Sequence, residues 1–251
     1  MAKVLFGGLF GLAVLLSWSA SGCSGEVSAG DLDENLVAYY PFDEVRDGIT
    51  PDGSGSGLDA EVVGDKPAGD LLAEGVYGLA MRFEAGWEEP YACVRLPLDE
   101  RLQLRESFTI CFWIKPLEGS TGYIVTNTRW GDNCGYLIRF GHRRIYLKLG
   151  FEDGIKTFSS PANSVQVDSW SHVAVVFDGE GAAIFINGEK QSSLKLEEKK
   201  SLAAPSYSHW RTTVGAHLAP RYYRFTGFLD DLRFYDRALS REEIAAVMFM
   251  N

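Results

Sequence analysis

Positive charge is scarce in this chain: 24 lysines and arginines stand against 34 aspartates and glutamates, a formal net charge of −10. So negative a surface repels phosphate backbones and anionic lipid headgroups, which excludes a nucleic-acid binder, while it tolerates neutral glycans, cations and proteins. Cysteine is scarce as well, with 4 residues and no Cys-x-x-Cys pair, which excludes a zinc knuckle or a thioredoxin-like redox site. Gly-x-Ser-x-Gly is missing, and so are a Walker loop and a Gly-x-Gly-x-x-Gly placed after a strand. A nucleophile elbow and a nucleotide cradle are thereby excluded. What the chain does have is 46% hydrophobic and 13% aromatic content over 251 residues, the composition of a folded globular protein and not of a disordered one.

The first residues read as an address. Lys3 supplies a single charge, Val4–Leu16 is apolar but too short for a comfortable membrane span, and small polar residues lead to Cys23. This is the layout of a secretory signal peptide over residues 1–22. Ala20-Ser21-Gly22-Cys23 resembles the lipobox of bacterial lipoproteins, although Ala20 stands where leucine is usual. The resemblance implies acylation of Cys23, with residues 23–34 as a tether; the alternative is cleavage after Gly22 with a free Cys23. Ser24 after the cysteine, by resemblance to Gram-negative lipoproteins, implies the outer membrane if the source is Gram-negative. Removing the leader leaves 34 acids against 23 bases, or −11. In an oxidising compartment Cys93, Cys111 and Cys134 allow one disulfide with one thiol left over, or three buried reduced cysteines.

From Leu36 onward the pattern is short strands rich in Val, Ile, Phe and Tyr, separated by Gly, Pro, Asn or Asp. Strands are expected at 36–42, 58–63, 80–84, 91–96, 108–115, 123–127, 136–140, 145–150, 156–160, 172–178, 182–186, 212–215 and 226–235. Asp178–Gly181 and Asn187-Gly188 are hairpin turn signals, because glycine accepts positive φ at no steric cost. One helix is expected, at the end: Ser240 as N-cap, Glu243 as its capping-box partner, then an apolar stripe of Ile244, Ala245, Val247 and Met248. Many strands at regular spacing with a single terminal helix predict an all-β sandwich or jelly roll in one domain, residues 35–251.

The segments LVAYYPFDE (36–44), DGSGSGLDA (52–60), FTICFWIKP (108–116), SWSHVAVVFDGEGAAIFINGE (169–189) and FTGFLDDLRFYDRALSREEIAAV (225–247) occur in the order found in laminin G-like, concanavalin A-like jelly rolls. The resemblance spans roughly residues 35–250 and implies a sandwich of two antiparallel sheets with a short C-terminal helix. Within it Trp113 and Trp170 read as core residues, His172 as a satisfied half-buried histidine, and Arg237 as a clasp on a carboxylate or carbonyl. The same architecture hosts glycoside hydrolases and polysaccharide lyases. Retaining glucanases of this shape carry Glu-x-Asp-x-x-Glu, and related lyases a Gln-x-His; neither motif is present. Asp230-Asp231 are adjacent, and neighbours in an extended strand point to opposite faces, so the pair is not expected to share one substrate.

Two candidate sites follow. Asp43 and Asp230, with Asp52 and Asp59 of the glycine-rich segment, are candidate ligands for calcium, which takes oxygens from carboxylates and backbone carbonyls. Laminin G-like and pentraxin-like modules often hold Ca²⁺ at the rim or between N- and C-terminal strands; the alternative is carboxylates bonded to loop amides without metal. Trp87, Trp130, Trp210 and Tyr222 lie in expected loops, where aromatic faces can stack on sugar rings. The expected function is a non-catalytic module, held to the cell envelope by Cys23, that binds glycan or a protein partner. A structural or adhesive protein–protein module is the alternative, followed by a glycan-active hydrolase or lyase.

Overall fold

The computed structural model describes residues 29–64, 67–84, 92–205, 211–216 and 223–250. In chain order the elements are α1 (Ala29–Asp33), β1 (Leu36–Tyr40), β2 (Ile49–Thr50), β3 (Ala60–Gly64), β4 (Leu72–Glu74), β5 (Leu79–Phe83), β6 (Ala92–Arg95), β7 (Phe108–Pro116), β8 (Gly122–Thr126), β9 (Tyr136–Gly141), β10 (Arg144–Phe151), β11 (Gly154–Ser159), β12 (Ser171–Phe177), β13 (Gly181–Ile186), β14 (Glu189–Lys195), β15 (Thr213–Val214), β16 (Gly227–Tyr235) and α2 (Arg241–Val247). They build two sheets of eight strands each. The first runs β14-β13-β12-β7-β16-β5-β4, with β1 also paired to β16; the second runs β11-β10-β9-β8-β15-β6-β3-β2. Neighbouring strands are antiparallel throughout both sheets.

Alternation along the strands sets the core. Phe108, Ile110, Phe112 and Ile114 of β7 face Tyr136, Ile138 and Phe140 of β9 and Ile145, Leu147 and Leu149 of β10, all buried in one apolar cluster. The rings of Phe108 and Tyr136 meet across the sheets at 5.2 Å. Each such side chain contributes roughly 1.5–3 kcal/mol by leaving water. The sandwich, its antiparallel sheets and its C-terminal helix are as the sequence predicts.

A second apolar cluster lies on the outside of the first sheet, where α2 lays Ile244 and Val247 on Cys111, Ala174, Val176 and Tyr235. The capping box is complete: Glu243 N–H donates to Ser240 Oγ at 3.2 Å, and Ser240 N–H donates to the Glu243 carboxylate at 2.7 Å. Residues 29–33, within the expected tether, form a helix whose Leu32 joins this cluster, because an apolar side chain beside an uncovered sheet face has somewhere to dock. The Asn187-Gly188 turn has φ of 50° and 77°, the left-handed pair of a type I′ hairpin.

Cys93, Cys111 and Cys134 are buried and unbonded, so of the two arrangements the sequence leaves open the structure has the reduced thiols and not the disulfide: Cys93 and Cys111 sit in different sheets, and Cys134 in a loop. Two features depart from the sequence reading. Trp113 and Trp170 are half-buried on the outside of the first sheet and not in its core; Trp113 packs edge-on against His172 at 5.4 Å and Trp170 against Phe228 at 6.4 Å. His172 is buried but its Nδ1 has no partner, and burial pulls its pKa down to about 3.

Candidate functional site

The aspartates form two clusters joined by Tyr39. In the first, Asp230 Oδ2 accepts N–H bonds from Val76 at 2.7 Å and Tyr77 at 3.2 Å, and Asp43 Oδ1 accepts one from Leu79 at 2.7 Å. The structure thus brings Asp43 and Asp230 to the same 75–79 turn. Glycine is required there: a Cβ on Gly78 would lie 2.1 Å from Asp43 Oδ1, and one on Gly75 would lie 2.5 Å from Asp230 Oδ2. In the second cluster Asp52 is a loop hub. Its carboxylate accepts from the N–H groups of Tyr39, Ser54 and Leu58 and from Ser54 Oγ, while Asp59 accepts from Asp52 N–H at 2.9 Å. Burial would push Asp52 up, but these hydrogen bonds outweigh it and hold the carboxyl below its ordinary value.

Asp231 corrects the expectation that neighbouring acids diverge. It has φ of 52°, and the pairing register of β16 shifts between Asp230 and Arg233. Leu229, Leu232 and Phe234 occupy the core, so the bulge leaves both Asp230 and Asp231 outside it. The Tyr39 hydroxyl donates to Asp231 Oδ1, Arg233 Nη2 lies 3.4 Å from the same oxygen, and the Arg233 guanidinium covers the Tyr39 ring at 4.0 Å. Burial, and then the neighbouring Asp231 charge, push Asp230 up to about 7. Asp230 Oδ1 and Asp231 Oδ2 are buried without hydrogen-bond partners.

For a hard cation the fit rests on those two orphaned oxygens, which are the kind of donor calcium takes. Asp52 is already committed to loop amides, and Asp59 lines an open groove of about 470 Å³ beside Asp47, Glu61, Arg95 and Arg211. Among the described residues no group of three or more His, Cys, Asp or Glu side chains is placed to hold a metal ion.

Of the expected aromatic residues, Trp87, Trp210 and Tyr222 lie outside the described residues, as does Cys23. Trp130 is described and is 41% exposed. Tyr123, Arg139 and Tyr146 are cross-strand partners on β8, β9 and β10, on the outside of the second sheet. The Arg139 guanidinium lies 5.8 Å from the Trp130 ring centre and 5.1 Å from that of Tyr146; Arg144 covers the Tyr146 ring at 5.9 Å. Tyr223, 65% exposed, packs on Tyr123 at 5.2 Å.

The loop carrying Trp130 is held by a buried lysine. Lys148 lies two residues beyond Tyr146 on the same strand face, fully covered, and its Nζ donates to Arg129 O at 3.1 Å, Cys134 O at 3.0 Å, Thr128 Oγ1 at 3.3 Å and Asp132 O. An internal ammonium thus gathers loop carbonyls as a bound ion would. The loop crosses β10 at Gly150, where a Cβ would lie 2.2 Å from Cys134 N. Burial pulls Lys148 down to about 8. The signal for this face is the period-2 run Arg144, Tyr146, Lys148, Gly150, but its outward direction is fixed only once the core residues between them are known.

Comparison with known proteins places this geometry. The model of the concanavalin A-like lectin/glucanases superfamily matches residues 90–245. Adhesion G-protein coupled receptor V1 of Danio rerio is 25% identical over 153 residues, 57% of this chain and 2% of the receptor, so the chain spans a small part of that relative. Domain 4 of AbnA, an extracellular arabinanase from Geobacillus stearothermophilus solved in complex with arabinotriose, aligns with a TM-score of 0.60 at 19% identity, over 85% of this chain and 98% of its own. The binding domain of botulinum neurotoxin DC, in complex with rat synaptotagmin II, aligns with a TM-score of 0.62 at 16% identity, over 86% of this chain and 51% of its own. At such identities the solved structures speak to the fold alone. The family match, which covers more than half of the sequence, identifies the chain as a member of the concanavalin A-like lectin/glucanases superfamily.

Proposed function

We propose that this protein is a non-catalytic binding module for carbohydrate. The observation that carries the reading is the aromatic surface of the second sheet, where Trp130 is exposed beside Arg139, which also covers Tyr146, and Tyr223 is exposed on Tyr123. Ring faces for stacking beside fixed polar groups are what a saccharide site needs. The similar arabinanase domain, solved with arabinotriose, supports it. No chemistry is assigned: Asp230 and Asp231 are tied to a turn, a tyrosine and an arginine, and the glucanase and lyase motifs are missing from the sequence. A glycan array with the full mature chain tests the reading. Binding that is lost in Trp130→Ala, with the melting temperature kept, is expected; an array on which Trp130→Ala binds like the wild type refutes the role of this face. A protein partner is the second reading, favoured by the similar neurotoxin domain solved with synaptotagmin II; a pull-down indifferent to Trp130→Ala would speak for it.

Calcium is proposed at the Asp43–Asp230 turn, where Asp230 Oδ1 and Asp231 Oδ2 would supply the side-chain oxygens. Bound there, the ion would neutralise buried negative charge and pin β16 to the 75–79 turn. A rise in melting temperature on adding calcium, reversed by chelator, is expected; an unchanged midpoint removes the ion. The address proposed is the bacterial cell envelope, through a lipid on Cys23. Membrane fractionation of Cys23→Ser, which should release the protein, tests it.

A further inference from the structure

We propose that the outer face of β8, β9 and β10 selects acidic saccharides, with Arg139 and Arg144, seated on Tyr146, taking a sugar carboxylate while the exposed Trp130 carries the ring. The inference rests on the carbohydrate-binding reading above and names the substrate class of that surface.

Charge segregation comes first. The chain carries a net charge of −10, yet residues 136–151 contain Arg139, Arg143, Arg144 and Lys148 and no aspartate or glutamate. Two of those four charges are already used: Arg143 reaches Glu118 at 3.2 Å, and Lys148 is sealed under the Trp130 loop. Arg139 and Arg144 remain. Several arginines elsewhere find carboxylates: Arg82 meets Glu84, Arg95 meets Glu61, Arg237 meets Glu243 and Arg241 meets Glu189. Among the described residues Arg139 and Arg144 touch no carboxylate, and Arg144 Nε is buried with no hydrogen-bond partner.

Geometry comes second. The two guanidiniums lie over one ring, Tyr146, at 5.1 Å and 5.9 Å, and so stand close enough to address neighbouring groups of one ligand. Each is held by π-contacts that leave its N–H edge uncommitted to an acid, and the planar fork matches a carboxylate in two parallel bonds. Tyr146 is itself held, its hydroxyl 3.2 Å from Nδ1 of His142. His142 and Arg143 take φ of 50° and 54°, a turn glycine would make more cheaply, so the hairpin tip keeps two long polar side chains beside the guanidiniums at a backbone cost. Trp130 closes the other side of Arg139. A ligand with both an anionic edge and a C–H face is what this arrangement fits, and an acidic sugar has both.

The experiment is affinity electrophoresis and calorimetry of the whole mature chain with three probes: polygalacturonate, its fully methyl-esterified form, and polyglutamate. Polygalacturonate is expected to bind; masking its carboxyls, or changing Arg139→Gln or Arg144→Gln, should weaken binding on the order of tenfold to a hundredfold, the range for a lost charge-assisted contact. Melting temperatures close to wild type in both variants show that the loss is not unfolding. Equal binding of the esterified polymer, or wild-type affinity in both variants, overturns the acid selectivity and leaves carbohydrate binding standing. Equal binding of polyglutamate overturns the saccharide assignment and leaves a plain anion patch. Absence of binding to these probes, with neutral glycans bound on the array, also overturns this proposal; absence of every glycan overturns the underlying reading with it.

Discussion

Lys148→Met removes the ammonium that gathers the Trp130 loop and leaves most of the aliphatic stem. Four acceptors lose the Lys148 donor: the carbonyls of Asp132 and Cys134, Thr128 Oγ1, and the carbonyl of Arg129, which keeps the Asp132 N–H at 3.3 Å. A buried carbonyl left unpaired costs about 1–3 kcal/mol, but the wild type already bears the several kcal/mol needed to desolvate an ammonium, and the loop can open to admit water. The net loss is expected to be about 3 kcal/mol, which for a domain of this size lowers the melting temperature by about 6–12 °C. Urea unfolding followed by circular dichroism measures the loss, and hydrogen exchange should show it concentrated in residues 128–135 and at Gly150 N–H, which donates to Gly135 O at 2.9 Å. The pH dependence gives an independent check. Burial holds Lys148 at about 8 in the folded protein, against an ordinary 10.5. Between those values the unfolded chain binds the proton that the native state has given up, so stability rises with pH across that window and is level below it. The gap between wild type and Lys148→Met should therefore widen from pH 8 to 10.5. A variant within about 0.5 kcal/mol of wild type, the size of an ordinary surface change, with loop protection intact, would show that the carbonyls do not need the ammonium.

The buried acid pair predicts the opposite slope. Asp230 is raised from 3.8 to about 7, so the native state keeps a proton the unfolded chain has lost, and stability falls as pH climbs through that window. Asp230→Asn should be more stable than wild type at pH 7.5 in chelator and should lose that advantage near pH 4; equal urea midpoints at both pH values would contradict this. Ser240→Ala removes the Oγ that accepts Glu243 N–H and should cost about 1 kcal/mol, read as a shift of a few degrees in melting temperature. Burial pushes Cys93 up to about 11 and Cys111 up to about 12, so both thiols should resist Ellman's reagent at pH 8 until urea exposes them; rapid native reaction would refute their burial.

Most of the sandwich follows from residues with one strong preference. β7, β12 and β16 announce themselves through runs of Val, Ile, Phe and Trp, and α2 through Ser240 and Glu243. The sequence pattern passes over β14, because EKQSSLK lies at a sheet edge with most side chains half-buried or exposed and no apolar alternation to mark it. β2 and β4 are too short to carry a period. The acid pair fails for a different reason: a bulge at Asp231 breaks the two-residue alternation, and nothing in FLDDLRF distinguishes a bulged strand from a regular one. The aromatic surface is half visible. Trp130 stands out as a loop aromatic, whereas Arg139, Tyr146 and Lys148 look like ordinary strand residues until pairing places them in one row and a loop folds over its end. Asp52 attracts attention as a metal ligand because its glycine-rich neighbours offer carbonyls, yet those neighbours turn their amides to it instead.

The position of β16 bears on how the protein is made. It follows every other strand of its sheet in chain order, yet it lies in the interior of that sheet, bonded to β7 on one side and to β5 and β1 on the other. Until residues 227–235 arrive, that sheet is in separate pieces, and the apolar strand Phe108–Pro116 presents an open edge to any passing chain. That sheet cannot close before residues 227–235 are made, and a chain lacking them would be not a smaller domain but an adhesive fragment.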